Sequence, residues 1–291
     1  MKNLDFECFY IITNTKKDPE YAFTRKLRDF LLLNGRKCIQ VPAESDAKSK
    51  RMTEKPNPKK DCLLVIGGDG SVLRAAHQVL GTGIPILGIN LGTLGYLAEI
   101  EKSNWQEMMT LLLKGQYEIE PRMMLEGRIM ERGGITVDDG VVHHALNEVV
   151  IVRNSAFRVL NFNVYVDGHL LNNINADGII VATATGSTAY NMSAGGPLVE
   201  PKAQLILLTP ICAHTLNTRS VVLSAEDSIV IEMVRTTRNE SIMAEAVFDG
   251  GSSFSLQYGD RIEIRKSEEI SNLVKLSTRS FLSTLHKKLS S

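Results

Sequence analysis

From Phe6 to Lys114 the chain alternates short apolar runs with helical stripes, and glycines stand where several of the runs end. That alternation constrains the fold more than any other feature. Strands separated by helices bury their apolar runs economically as a parallel sheet with helices on its faces. Phe6 to Thr13 reads as the first buried strand. Asp18-Pro19 reads as an N-cap with proline at the first helical position, and Gly35 as the stop. Ala22, Phe23, Leu27, Phe30 and Leu31 supply the stripe between them. Further strands are expected at Cys38 to Val41, Leu63 to Ile66 and Ile84 to Ile89, and further helices at Val72 to Leu80 and Trp105 to Lys114.

After Pro121 the spacing changes. Phe162, Val164 and Val166 alternate with Asn161, Asn163, Tyr165 and Asp167, and Ile229, Ile231, Met233, Ile262 and Ile264 repeat the two-residue period. Turn residues punctuate these segments at Gly133-Gly134, Asp139-Gly140, Asp167-Gly168, Asp249-Gly250-Gly251 and Gly259-Asp260. This is the pattern of a mainly antiparallel domain. Helical spacing returns at Phe281, Leu282, Leu285 and Leu289, a stripe that has to be buried against the first domain or a neighbouring subunit. The expectation is therefore an α/β domain with a Rossmann-like parallel sheet over 1–121 and an all-β, sandwich-like domain over 122–268. A segment over 269–291 then packs its helix back on the first domain.

Composition narrows the function. The 291 residues suit about two domains. Lys plus Arg and Asp plus Glu both number 33, which removes bulk attraction to nucleic acid or an anionic membrane as the default. No apolar run approaches the ~20 residues of a membrane span. Asp5 and Glu7 interrupt the N-terminal apolar stretch, which carries no cleavage site. Cys8, Cys38, Cys62 and Cys212 form no CxxC pair, so they read as reduced thiols of a cytoplasmic protein. The polar stretch from Pro42 to Asp61 holds Lys48, Lys50, Arg51, Lys55, Lys59 and Lys60. It reads as a solvated loop or as cations near a phosphate.

Four clusters carry candidate chemistry. Gly67-Gly68-Asp69-Gly70-Ser71 joins an expected strand to an expected helix, where bare backbone and unpaired N–H groups suit a phosphate. No Gly-Lys-Ser/Thr follows, so it is not a Walker A loop, and Leu73 breaks the dinucleotide fingerprint. The alternative is a tight turn using ordinary Asp-Gly chemistry. Gly88-Ile89-Asn90-Leu91-Gly92-Thr93-Leu94-Gly95-Tyr96 follows another strand and suits a ligand crevice, with Tyr96 either closing over a flat ring or half-buried in the loop. Asn175-Ala176-Asp177-Gly178 leads through an apolar strand into a hydroxyl-rich run, Thr183 to Pro197, that is out of place in a strand-and-turn domain. The hydroxyls mark either a site or a helix cap. Asn147-Glu148 enters a strand and has the donors and acceptors to grip a ribose diol, or is a surface strand entry. His143-His144 reads as solvent-facing rather than a metal site. No metal ligand set is assigned.

Together these clusters resemble the NAD kinases. The resemblance runs over about residues 60 to 265 through Gly67-Gly68-Asp69-Gly70, Gly88-Ile89-Asn90 with Gly92 and Leu94-Gly95-Tyr96, and Asn147-Glu148. It continues through Asp177-Gly178, Thr185-Gly186-Ser187-Thr188-Ala189-Tyr190, Ser193-Ala194-Gly195-Gly196-Pro197, and Thr209-Pro210-Ile211 with His214 and Arg219. It implies transfer of the γ-phosphate of ATP to the 2′-hydroxyl of the NAD adenosine ribose. It also implies a divalent cation, usually magnesium, a homodimer or homotetramer, and a site in the cleft between two domains. By resemblance Asp69 activates the acceptor hydroxyl with Gly70 against it, while Gly67, Gly68, Gly70 and Ser71 form the phosphate loop. Asn147 and Glu148 resemble the ribose-binding pair, and Asp177 the aspartate near the nicotinamide. Thr188, Ala189, Tyr190, Asn191, Met192 and Ser193 resemble the NAD-contacting stretch. Tyr96, Arg158 and Asn175 fall at ligand-proximal positions. Ala213 and Ser220 stand where many relatives have proline, and Gly251 where glutamine is common, which loosens the case for a contact at 251. The competing readings are a non-catalytic dinucleotide-binding regulator and a lipid kinase of the diacylglycerol type.

Overall fold

The computed structural model describes residues 5–42, 55–92, 95–130, 141–154, 159–214, 218–234, 244–276 and 280–290. The chain forms two compact units, Met1–Arg122 with Ile270–Ser291, and Met123–Glu269.

In the first unit, β1 (Cys8–Thr13), α1 (Ala22–Leu33), β2 (Lys37–Val41), β3 (Asp61–Gly67), α2 (Asp69–Gln78), β4 (Ile86–Asn90), β5 (Ile100–Glu101) and α3 (Trp105–Leu113) follow in order. The strands pair in parallel as β2–β1–β3–β4, with β5 beside β4. Both faces are covered, so β1, β3 and β4 are apolar at nearly every position. Phe9, Leu27, Leu31, Leu64 and Leu87 form the core. Each such burial contributes roughly 1.5–3 kcal/mol. The start of α1 departs from expectation. Pro19–Tyr21 is a turn of 3-10 helix, and α1 begins only at Ala22. Asp18 still caps it, accepting the Phe23 and Thr24 N–H groups at 2.8 and 2.9 Å. Gly35, at φ 73°, ends α1 with Arg36 N–H on Leu31 O and its own N–H on Leu32 O, both at 3.0 Å.

The chain passes between the units within β6 (Glu118–Met130) and β17 (Arg261–Lys275). The second unit holds β7 (His143–Ala145), β8 (Glu148–Arg153), β9 (Leu160–Val166), β10 (His169–Ala176) and β11 (Gly178–Thr183). The short α4 (Tyr190–Ser193) follows, then β12 (Leu205–Ile211), β13 (Val221–Ser224), β14 (Ile229–Met233), β15 (Ala244–Phe248) and β16 (Ser252–Leu256). Its strands pair antiparallel, as β10–β9–β14–β17 and as β13–β12–β11–β8–β15–β16. Phe162, Val164, Ile229, Ile231, Ile262 and Ile264 of the first set share one core with Val149, Ile151, Ile179, Val181 and Phe248 of the second. That is a sandwich.

One expectation is corrected. His143 and His144 are half-buried in β7 rather than solvent-facing: the His143 ring lies tilted against Phe254, 4.1 Å between centroids, and His144 Nδ1 is 3.0 Å from Ser267 Oγ. The C-terminal stripe is buried in part. The final helix, α5 (Phe281–Leu289), half-buries Phe281 and Leu285 but leaves Leu282 67% and Leu289 66% exposed, because they point away from the unit. The turns at 133–134 and 139–140, and Lys48, Lys50 and Arg51, lie outside the described residues. Among the described residues no helix is long and apolar enough to cross a membrane.

Candidate active site

In the first unit the two glycine loops lie side by side. Gly67 at the end of β3 pairs with Asn90 at the end of β4, and Leu91 N–H donates to Gly67 O at 3.0 Å. This is the carboxyl edge of the parallel sheet, where open α/β sheets bind ligands. Gly67 is required there, because a Cβ would sit 2.3 Å from Ser71 Oγ. Ser71 Oγ in turn accepts from Asn14 Nδ2 at 3.1 Å and Arg74 Nη2 at 3.4 Å. Lys17 Nζ stands over both loops, 2.7 Å from where a Gly68 Cβ would be and 3.4 Å from that of Gly92.

Asp69 opens α2, so its carboxylate lies at the positive end of the helix. Its oxygens accept three successive backbone N–H groups, from Tyr96 at 2.6 Å and from Leu97 and Ala98 at 3.1 Å each. Gly95 allows this approach; a Cβ there would be 1.8 Å from Asp69 Oδ1. The Tyr96 ring lies beside Phe281 of α5, 6.3 Å between centroids, with Lys288 Nζ 4.2 Å from its centroid. Burial raises the Tyr96 phenol above its usual range, and the Asp69 charge adds to it.

In the second unit Asn147 and Glu148 turn into β8. Asp249 accepts the N–H groups of Leu146 at 2.6 Å, Asn147 at 2.8 Å and Glu148 at 3.0 Å. Thr183, at the end of β11, donates its Oγ1 to Leu146 O at 2.6 Å and its N–H to Asn147 O at 2.8 Å. Glu148 is 8% exposed, not a surface strand entry. Its carboxyl takes the Tyr190 N–H, while Oε2 is buried with no hydrogen-bond partner among the described residues. Burial pushes the group up to about 8, the Asp249 charge pushes the same way, and the Tyr190 N–H opposes both.

The hydroxyl-rich run forms a 3-10 turn, Thr185–Thr188, leading into α4. It presents Thr188, Ala189, Tyr190, Met192 and Ser193 at or near the surface. Asn191 is different. It is fully buried, donates to Pro197 O at 3.0 Å and accepts from Thr209 Oγ1 at 2.7 Å, so its side chain braces the Gly196-Pro197 loop. Tyr190 and Ser193 line an open pocket of about 790 Å³ with Pro210, Ile211, His214 and Arg219. Beside His214 lies Asp177, whose Oδ1 is 3.7 Å from His214 Nε2 and whose Oδ2 is 3.0 Å from Arg153 Nη2. Asn175, next to this group, accepts the His214 N–H on its carbonyl at 2.8 Å. Arg158 lies outside the described residues, as do Thr93 and Leu94.

Two functional-looking residues, Lys17 and Asp249, escaped the sequence reading. Lys17 sits in an unremarkable loop, and Asp249 in an Asp-Gly-Gly run that reads like any turn. Among the described residues, no group of three or more His, Cys, Asp or Glu side chains could hold a metal.

The sequence model of the ATP-NAD kinase N-terminal domain matches residues 9–117, and that of the C-terminal domain matches residues 146–276. The chain is 43% identical over 296 residues to an NAD kinase of Lachnospira eligens, covering 97% of this chain and 99% of that one. It is 40% identical to an NAD kinase of Lachnoclostridium phytofermentans, covering 96% and 98%. Its fold superposes on yeast NADH kinase complexed with NADH at a TM-score of 0.80 and 23% identity, over 98% of this chain and 88% of that one. It also superposes on an NAD kinase from Archaeoglobus fulgidus in complex with ATP at 0.72 and 24%, over 97% and 98%. By its two domain matches and its near-full-length relatives, the chain belongs to the ATP-NAD kinase family.

Proposed function

We propose that the chain transfers the γ-phosphoryl group of ATP to the 2′-hydroxyl of the adenosine ribose of NAD, giving NADP and ADP. The observation that carries this reading is Glu148. A buried carboxyl oxygen without a partner costs free energy unless something bonds it, and a ribose hydroxyl is a fitting partner. With its pKa near 8 the group is mostly protonated at neutral pH, so it can both donate to and accept from a diol. Asn147 adds an amide beside it.

Asp69 acts on the acceptor hydroxyl. A carboxylate offers about four lone-pair sites. Backbone N–H groups take three of them, which fixes its orientation and leaves one for the 2′-hydroxyl. The hydroxyl proton passes to Asp69 as O2′ bonds to the γ-phosphorus. The bond from that phosphorus to the bridging oxygen breaks, and ADP leaves with the electron pair. Phosphoryl transfer of this kind asks for positioning and charge stabilisation more than for covalent help. The bare backbone of Gly67, Gly68 and Gly70, with Ser71 at the start of α2, supports a site for the donor phosphates.

Thr188, Ala189, Tyr190, Met192 and Ser193 line the NAD path, Tyr96 and Asn175 lie near it, and Asp177 holds the nicotinamide end. A divalent cation, magnesium by family resemblance, would arrive on the donor phosphates and neutralise their charge. Such an ion keeps several water ligands beside the phosphates and needs few from the protein. Cys8, Cys38, Cys62 and Cys212 form no disulfide, which supports a cytoplasmic setting, and exposed Leu282 and Leu289 support self-association.

Incubation with NAD, ATP and magnesium, reading NADP, tests the proposal. A non-catalytic regulator binds NAD and makes none. A lipid kinase phosphorylates diacylglycerol and leaves NAD untouched.

A further inference from the structure

We propose that Asp249 is a positioning residue for the acceptor site: through the backbone N–H groups of Leu146, Asn147 and Glu148 it sets the turn that presents the Asn147 and Glu148 side chains to the ribose. The inference rests on the reading above, in which those two side chains take NAD.

The backbone accounting of residues 146 to 148 is complete. All three N–H groups go to the Asp249 carboxylate. The Leu146 carbonyl takes Thr183 Oγ1, the Asn147 carbonyl takes Thr183 N–H, and the Glu148 carbonyl takes Asp249 N–H at 3.0 Å. Gly186 closes the remaining side, since a Cβ there would lie 2.1 Å from Asn147 O. A segment with every backbone polar group paired has one conformation. The buried Glu148 Oε2 atom is left with no hydrogen-bond partner among the described residues.

A plain hairpin turn does not need this carboxylate. The turn between β15 and β16 has positive φ at both central residues, 50° at Asp249 and 68° at Gly250, and closes with Gly251 N–H on Phe248 O at 2.9 Å. Asn at the first central position would serve the turn as well. Asp instead reaches residues 101 to 103 positions away in sequence. Its charge also bears on Glu148. Burial is the larger cause of the raised carboxyl, Asp249 adds to it, and the Tyr190 N–H works against both. Asp249 thereby helps keep a proton on the group that has to share hydrogen bonds with a diol.

Asp249→Asn tests this, with Gly250→Ala as its control. The amide keeps one acceptor oxygen but turns its NH₂ toward an N–H donor. Gly250→Ala strains the same turn, at φ 68°, without touching the carboxylate. The ligand-free protein is titrated by ¹³C NMR of its glutamate carboxyls, with the Glu148 signal assigned by its loss in Glu148→Gln. Michaelis constants for NAD and ATP are measured alongside. We expect a Glu148 midpoint near 8 in the wild type and in Gly250→Ala, and a lower one in Asp249→Asn. The NAD constant should rise about tenfold in Asp249→Asn, the worth of one buried hydrogen bond to a charged group, with ATP changed less. A wild-type midpoint or a wild-type NAD-to-ATP ratio in Asp249→Asn overturns the proposal. If that variant does not fold, Asp249→Ser, which keeps a hydroxyl acceptor, is read by the same two criteria. A wild type that makes no NADP refutes the kinase reading, and the ligand-free titration still decides the hold of Asp249 on Glu148.

Discussion

Asp69 and Asp249 do the same thing in different units. Each receives three successive backbone N–H groups, Asp69 from 96–98 and Asp249 from 146–148, with the shortest contact 2.6 Å in both. Their surroundings differ. Asp69 opens a helix and stands among bare glycines. Asp249 lies in a hairpin turn, and the segment it holds contains the fully buried Leu146 and the nearly buried Glu148. One brace presents the aspartate itself; the other presents the residues it braces. A carboxylate on three N–H groups is thus a device for fixing geometry, and its neighbours decide which partner becomes the reactive one.

The largest effect that can break this comparison comes from Asp69→Asn. If the aspartate itself is the working group, turnover falls by about two to four orders of magnitude while NAD binding changes much less. If Asp69 only braces the Gly95 loop, stability falls and turnover per folded molecule stays. Turnover measured beside the melting temperature separates the two. Next in size is Glu148→Ala, which should weaken productive NAD use by roughly 10- to 150-fold and ATP less. Equal losses for both substrates would remove Glu148 from the acceptor site.

How much of this was legible in the chain depends on distance along it. The strands and helices of the first unit were, because glycines end them and apolar spacing is local. The start of α1 was not, because Asp18 caps across an intervening turn. Asp69 was visible because the loop that binds it lies nearby between strand and helix patterns. Asp249 was invisible because its partners are more than a hundred positions away and an Asp-Gly-Gly run already has a sufficient explanation as a turn. The inward set of Asn191 was hidden for a related reason. Its neighbours Tyr190, Met192 and Ser193 are exposed, and only the fold reveals that its side chain points inward to Thr209 and Pro197.

A smaller effect sharpens the contrast through pH. Burial pushes the Glu148 carboxyl up to about 8 in the folded chain, against an ordinary value of 4.5 that it regains when unfolded. Between those values the folded state binds more protons, so stability is fully present below the lower value and is lost as pH rises through the upper one. The loss is on the order of a few kcal/mol at most. Glu148→Gln, which cannot ionise, should flatten the melting-temperature profile between pH 5 and 8. A slope in that window equal to the wild type's would mean that the carboxyl is not held protonated.

The smallest effect concerns what supports each brace from outside. The Asp249 brace holds Leu146, fully buried in its own unit, whereas the Asp69 brace ends at Tyr96, whose ring lies against Phe281 and Lys288 of α5. An ammonium over a partly exposed aromatic ring is worth about 0.5–1 kcal/mol. Lys288→Met keeps the apolar stem and removes the charge, so the melting temperature should fall only slightly. If α5 helps hold the Tyr96 N–H on Asp69, the same variant lowers turnover by a few-fold, at roughly 1.4 kcal/mol per factor of ten, and leaves the NAD dissociation constant alone. Phe281→Ala should do the same more strongly, because it removes packing as well as contact with the ring. Should both variants lower stability with no change in turnover, α5 is only a cover. Should either weaken NAD binding instead, the Tyr96 ring serves the dinucleotide directly, and the difference between the two braces is smaller than their surroundings suggest.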